Sequence, residues 1–387
     1  MQAIRIGFVA DPSWSYNRGV LRGLTLYCRT HQWSLGLLDP KSTTLAAIGR
    51  EADGFVVGPS ALERSIDRVL DRPAVGVSGQ REHGRLPRVC GDGRWVGRLV
   101  ADHLFDQGFR HLAFVGDPAG GWWSVRRHAG FRDRARELGV TCSGFTADRR
   151  EFSSYFTQKI GVRDRACLAW LRKLPRPFGL MGCNDLHASH VIDLCRRLHL
   201  RVPEDVAVVG VDNDDLLVEL TDPPLSSVAL QTERVGYEAG MLLARLLAGQ
   251  APPKQPVVVP PGELVVRRSS DTLVIPDPIV AGALRLIRQH LPEQAGVKQL
   301  LAEVRVSRSS LDQRFRRALG RTAAEEIRRA RIAQAKHLLS ASDLSMRQVA
   351  KNAGFSCARR LSQVFGPETG MTPTAYRRQY RLRGEPD

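Results

Sequence analysis

Seven short apolar runs punctuate the first 277 residues: AIRIGFVA (3–10), WSLGLL (33–38), GFVVG (54–58), AVGVS (74–78), HLAFVG (111–116), FGLMG (178–182) and VAVVGVD (206–212). They are nearly continuous apolar stretches rich in β-branched residues, the pattern of strands buried on both faces. Amphipathic stretches lie between them, at Arg94–Gln107, His128–Leu138, Leu186–Leu198 and Arg234–Leu247. This alternation predicts a doubly wound parallel α/β architecture. The strands are too many for one small sheet, so two similar lobes are expected. RRSSDTLVIPDP (267–278) loses the periodicity and carries prolines, which reads as a linker. The expected organisation is a two-lobed effector domain over 1–270, a linker over 271–278 and a second domain over 279–387.

Charge divides unevenly across that linker. Of a net +17, the residues from Pro278 onward hold 21 Lys+Arg against 9 Asp+Glu, a net +12; the rest hold 36 against 31, a net +5. A small basic module on a near-neutral body is the electrostatic footprint of nucleic-acid binding. A solvated basic face, or a general preference for Arg over Lys, gives the same sign. The seven cysteines are odd in number, scattered and free of C-x-x-C. That argues against a disulfide framework or structural zinc, and no metal or cofactor is expected. No apolar run reaches the ~18 residues of a membrane span. MQAIRIGFVADPS is interrupted too early for a signal peptide and reads as a first strand. A cytoplasmic protein is expected, reaching the nucleoid through DNA.

In open α/β sheets ligands sit beyond the carboxyl ends of the strands. Polar residues at those ends are Asp11, Tyr16 and Arg18 after the first run, Asp92 closing RVCGD, and Trp122, Trp123 and Arg127 after HLAFVGD. Asn184 and Asp185 follow FGLMGC, and Asp212 ends VAVVGVD. Carboxylates and amides pair with hydroxyl groups, a guanidinium forks across two of them, and an indole packs the apolar face of a sugar ring. The set suits a neutral, polyhydroxylated ligand. Each member also has a plainer reading. Asn184 or Asp185 can cap the helix beginning near Leu186, and Asp212 can cap a turn in DNDD. Trp123 and Tyr16 can be ordinary half-buried rings, and Arg127 can pair with a surface carboxylate.

The run from GCNDLHASH to PPLSSV (182–228), with LRVPEDVAVVGVD inside it, resembles the ligand-binding core of lac-repressor-type regulators, itself related to periplasmic sugar-binding proteins. The resemblance implies two α/β lobes joined by three crossovers, with the ligand in the cleft. It implies that Asn184, Asp185 and Asp212 line one lobe, that Arg127 is the ligand-contacting arginine, and that Asp92 is a further pocket acid. Lac-repressor-type chains carry an N-terminal DNA-binding headpiece. This chain begins at its first strand, so a DNA-binding part is expected elsewhere.

The C-terminal region supplies one. LDQRFRRALGRT (311–322) and LSQVFGPETGMT (361–372) both read L-x-x-x-F-x-x-x-x-G-x-T, 50 residues apart. Each follows an apolar helical pattern and a short turn, so each copy closes a helix-turn-helix unit whose second helix would enter a major groove. Leu311 and Phe315, like Leu361 and Phe365, fall on one helix face. Ser307 and Ser356 are candidate N-caps. A plain helical domain with repeated packing positions is the alternative.

The tandem arrangement from Asp277 to Arg383, closed by GMTPTAYR, resembles the AraC/XylS-type DNA-binding domain. It implies that the first unit presents Ser307, Arg308, Ser309, Asp312, Gln313 and Arg314 to DNA. The second would present Ser356, Cys357, Ala358, Arg359, Arg360 and Gln363, with Thr372 and flanking arginines on phosphates. Arg305 stands where this family usually has glycine, and Gly366-Pro367 replaces a basic pair. Proline there should stop or kink the helix, leaving a shorter second reading helix and the first unit as the stronger grip.

Together the two halves resemble sugar-responsive transcription activators. That implies a homodimer on double-stranded promoter DNA, a small effector such as the pentose xylose, and RNA polymerase as a partner if the protein activates. Repression, or another sugar, stays open. A sugar-processing enzyme with a basic tail is a rival, with Asp185 and Asp212 as paired carboxylates. However, G-x-x-x-x-G-K-[ST], H-E-x-x-H and G-x-S-x-G are all absent, so no enzyme is expected. A transport-type binding protein is disfavoured by the basic arm.

Overall fold

A computed structural model describes residues 4–39, 51–59, 72–77, 86–118, 120–146, 164–290 and 297–380. The chain divides into two units: Met1–Leu104 with Arg110–Thr272, and Phe105–Phe109 with Leu273–Asp387. Residues 381–387, the end of the expected second domain, lie outside the described residues.

The first unit holds two main sheets. One runs β2-β1-β3-β4, all parallel, from β1 (Arg5–Val9), β2 (Ser34–Leu38), β3 (Gly54–Val57) and β4 (Ala74–Gly76). The other runs β12-β10-β9-β8-β6-β7. Its parallel strands are β6 (His111–Gly116), β7 (Thr141–Thr146), β8 (Phe178–Gly182), β9 (Val206–Asp212) and β10 (Ser226–Ala229), with β12 (Leu264–Val265) antiparallel at the edge. A short parallel pair joins β5 (Val89–Gly91) to β11 (Val257–Val259). All seven apolar runs became strands. β8 is buried at every position and β9 at all but its last, as strands covered on both faces require.

Helices of this unit are α1 (Ser15–Thr30), α2 (Gly93–Asp106, whose last two residues fall in the second unit), α3 (Trp122–Glu137), α4 (Arg165–Lys173), α5 (Asp185–Arg197), α6 (Asp215–Leu220) and α7 (Thr232–Leu247). α7 brings the chain back to the first sheet. Its Val235, Ala239, Leu242 and Leu243 share a core with Ile6, Phe8, Val20 and Leu24. Glycines let α1 and α7 approach backbone to backbone: a Cβ on Gly23 would lie 1.7 Å from the Glu233 carbonyl oxygen, and one on Gly236 2.0 Å from that of Val20. The second lobe closes around Val115, Phe178, Leu180, Val191, Ile192 and Val208.

The first residues of RRSSDTLVIPDP pack into the second sheet. Ser269 and Ser270 are fully buried. Ser269 Oγ donates to the Val208 carbonyl at 2.7 Å and accepts the Ser226 N–H at 2.8 Å, so Ser269 is stitched to β9 and to the start of β10. Serines can replace a ladder of backbone bonds with side-chain ones, which no apolar periodicity records.

The second unit is helical: α8 (Pro278–His290), α9 (Val297–Val304), α10 (Arg308–Leu319), α11 (Ala323–Ala341), α12 (Met346–Asn352), α13 (Ala358–Thr369) and α14 (Pro373–Tyr380). Here the repeat acquires its physical meaning. Leu311, Phe315, Leu361 and Phe365 are buried to within 1 %. Gly320 and Gly370 end α10 and α13 at φ 72° and 74°, the left-handed C-cap that favours glycine. Thr322 and Thr372 cap the next helices, their Oγ1 accepting the N–H of Glu325 and of Ala375, each at 3.2 Å. The motif thus encodes packing, stop and restart, twice.

Candidate functional site

The carboxyl ends of both main sheets carry the predicted ligand residues other than Asp92, which follows β5 of the short pair, and strand order reverses at β1/β3 and at β6/β8, the switch points where open α/β sheets bind ligands. Arg127, on α3 after β6, is the centre of the second lobe's group. It is 6 % exposed. One guanidinium nitrogen donates to the Cys183 carbonyl, another lies 3.4 Å from Asp212 Oδ1, and the Trp123 ring centre is 5.0 Å from the guanidinium carbon. Burial pushes the Asp212 carboxyl up, to about 6, while the Arg127 guanidinium opposes that rise.

From the first lobe, Tyr16 donates its hydroxyl to the Val77 carbonyl at 2.7 Å. Burial raises its pKa, and the charges of Arg127 and Asp212 reach it. Arg18 donates to the Ser13 carbonyl at 2.8 Å and lies 3.5 Å from Asp214 Oδ2. Asp11 Oδ1 accepts the Ser13 N–H at 2.9 Å, and Asp92 Oδ1 accepts the Trp95 N–H at 3.0 Å, capping α2. Arg126, rather than Arg127, is the guanidinium over Trp122, at 4.8 Å.

Asn184 takes the plainer role foreseen for it: it caps α5, with Oδ1 accepting the His187 N–H at 3.0 Å. His187 Nδ1 lies 2.6 Å from the same oxygen, and burial lowers this imidazole to about 4, so it is neutral near pH 7. Asp185 is turned inward. Its Oδ2 accepts the Asp214 N–H at 2.8 Å and its Oδ1 lies 2.5 Å from Ser227 Oγ. Asp212 does not cap its turn; Asp214 caps α6 instead, accepting the Leu216 N–H at 3.1 Å. Asp214, His187 and Ser227 escaped the sequence reading. For Asp214 the acidic run DNDD was the available signal.

On the second unit, Ser307 caps α10 as expected, accepting the Ser310 N–H at 3.2 Å. Arg308, Ser309 and Gln313 are exposed. Asp312 and Arg314 are drawn away from that face. Asp312 Oδ1 accepts the Ala323 N–H at 3.2 Å, and Arg314 donates at 2.7 Å to Asp277, whose other oxygen accepts the Ile279 N–H at 3.0 Å at the start of α8. In the second unit Cys357, not Ser356, is the N-cap of α13. The reason is register: Leu311 falls four residues after Ser307, and Leu361 four after Cys357. Ser356, Cys357, Arg359, Arg360 and Gln363 are exposed and Ala358 half-buried.

Pro367 does not shorten α13, which continues through it to Thr369; α10 and α13 are each 12 residues long. The missing proline N–H removes one bond near the helix end, and Gly366 before it has no Cβ to clash with the ring. Arg305 stands at φ 53°, in the left-handed region that the turn of the other unit gives to Gly354 at φ 78°, one residue out of the 50-residue register.

Known protein families match part of each unit. Residues 101–270 match a periplasmic binding protein-like domain, and residues 300–379 a helix-turn-helix domain. The chain is therefore a DNA-binding transcription regulator built from those two modules, and not an enzyme. Within that class it is similar to the xylose operon regulatory proteins. It is 28 % identical to the one from Haemophilus influenzae, over 97 % of this chain and 98 % of the relative, and 29 % identical to the one from Escherichia coli K12, over 96 % of each. A solved structure of the xylose-binding transcription activator xylR superposes with a TM-score of 0.61 at 27 % identity, covering 99 % of this chain and 100 % of that one. The cellobiose complex of the regulator CelR, at 21 % identity and TM-score 0.56 over 69 % of this chain and 84 % of that one, shares the fold of the first unit. Among the described residues no helix is long and apolar enough to cross a membrane.

Proposed function

We propose that this regulator answers to a pentose, D-xylose or a close relative, and activates genes for its use. The observation that carries the reading is the Arg127 group. A guanidinium set against an indole face, a carboxylate and a carbonyl, at the carboxyl end of the second sheet, can fork across two ring hydroxyls while Trp123 covers an apolar ring face. The Asn184 amide adds a donor at the same strand ends, Asp11, Tyr16 and Arg18 stand after β1 on the facing lobe, and Asp92 follows β5. The names of the full-length relatives point to the same sugar.

A sugar that bridges the lobes favours their closed arrangement only as far as it binds that arrangement more tightly. The protein works in the cytoplasm as a homodimer on promoter DNA and meets RNA polymerase there. Arg308, Ser309 and Gln313 on the first reading helix, and Arg359, Arg360 and Gln363 on the second, read bases in successive major grooves ~34 Å apart. Calorimetric titration with D-xylose, L-arabinose, D-ribose and D-glucose tests the effector. Saturable heat with one pentose and no product supports the reading, and no response to any pentose overturns it. A promoter reporter with and without the bound sugar separates activation from repression.

A further inference from the structure

Two consecutive non-glycine residues at the end of β9 stand in the left-handed region, Asp212 at φ 111° and Asn213 at φ 51°. Backbone of that kind persists only where its surroundings over-determine it. Here they do. Ser227 Oγ, on β10, accepts the Asn213 N–H at 3.0 Å. Asp185 Oδ2, at the start of α5, accepts the Asp214 N–H at 2.8 Å. Asp185 Oδ1 lies 2.5 Å from Ser227 Oγ, so one carboxyl ties both anchors together. Room for it is built into the sheet: a Cβ on Gly210 would lie 2.2 Å from Asp185 Oδ1.

Resting on the sugar-effector reading above, we propose that Asp185 is a positioning residue of the effector site. It holds the Asp212–Asp214 turn by its backbone N–H groups, aiming Asp212 at Arg127 and Asp214 at Arg18, and does not touch the sugar. Both its oxygens are committed, and it is 1 % exposed. The charged groups around the turn are Asp212, Asp214, Arg127, Arg18 and Arg267, the last donating to the Asn213 side-chain oxygen at 2.9 Å. Burial and the neighbouring carboxylates hold Asp185 well above the ordinary carboxylate range. An asparagine can make the same two contacts: its oxygen accepts from the Asp214 N–H, and its amide N–H reaches Ser227 Oγ, a hydroxyl that accepts as well as donates. A carboxylate that gripped sugar hydroxyls by its charge would not survive that exchange.

The test uses the full chain, D-xylose titration and hydrogen exchange of the Asn213 and Asp214 amides. Asp185→Asn should keep D-xylose affinity within about threefold of wild type near pH 7, whereas Asp185→Leu, which leaves a buried N–H unpaired, should lose about tenfold or more. In the absence of sugar, both amides should exchange slowly in wild type and Asp185→Asn, and fast in Asp185→Leu. If Asp185→Leu fails to fold, Ser227→Ala should speed the Asn213 amide alone. Loss of affinity in Asp185→Asn as deep as in Asp212→Asn would overturn the proposal, and so would amide exchange indifferent to all three changes. Failure of wild type to bind any pentose would instead overturn the effector reading, leaving the exchange arm to judge Asp185.

Discussion

The Arg18 guanidinium lies 3.5 Å from Asp214 Oδ2, joining the helix after β1 to the turn after β9 and so one lobe of the first unit to the other. The arginine side chain is about a third exposed and the aspartate mostly buried, so the pair is worth ~1 kcal/mol or less after screening. Removing it should nonetheless be felt by a ligand that needs the lobes together. Arg18→Met is expected to weaken D-xylose binding by about two- to fivefold, with the deficit shrinking as salt rises. Titrations at two ionic strengths check this; an affinity equal to wild type at both removes the pair from closure.

Protonation of Asp212 gives a second expectation. Its carboxyl titrates near 6 in the folded protein, above the ordinary 3.8. Between those values the folded state binds more protons than the unfolded one, so this group's contribution to stability is fullest below the ordinary value and declines as pH rises through about 6. Sugar hydroxyls donate better to the ionised form, so binding should run the other way and tighten as pH rises through the same window. Asp212→Asn should flatten that profile. A wild-type profile flat from about pH 5 to 7 would place the carboxylate outside the ligand contacts.

Much of this architecture was legible because burial on both faces writes itself as an apolar run. β5, β7, β10, β11 and β12 were missed for the converse reason. Four of them span 2–4 residues, and β7, TCSGFT, is a half-exposed edge strand with no apolar stretch to announce it. At the site, residue types after each strand were readable, but their directions were not. Arg127 meets Asp212 across 85 residues, and nothing local to GCND says that Asn184 caps a helix while Asp185 turns inward. The spacing of the repeat held the answer to one error: a uniform offset of 50 residues puts the second N-cap at Cys357, not Ser356.

The turn before each reading helix invites a paired test. Arg305, at φ 53°, pays a conformational cost that Gly354 avoids at φ 78°. Arg305→Gly should therefore stabilise the helical unit by ~1 kcal/mol, while Gly354→Ala should destabilise it by about 1–3 kcal/mol. Thermal melts of the full chain, followed at the transition of the helical unit, read both signs. A fall in Tm for Arg305→Gly would mean that the arginine side chain makes a compensating contact worth more than the strain.

The last contrast separates reading from scaffolding within the arm. Arg359 is exposed on α13, whereas Arg314 on α10 is held at 2.7 Å by the aspartate that starts α8. Both arginines lie on the helices proposed above to read DNA, yet the first is exposed while the second is held in an ion pair with Asp277. With a site selected by the wild-type chain and then substituted base by base, Arg359→Ala should cost ~1–3 kcal/mol and relax preference at one position. Arg314→Ala should leave every position's preference intact and lower Tm instead, because it strips Asp277 of its charged partner. Anisotropy titrations across the substituted sites decide it. A position-specific loss in Arg314→Ala would mean that its ion pair with Asp277 opens on DNA, and a uniform loss in Arg359→Ala would move that arginine to the phosphate backbone.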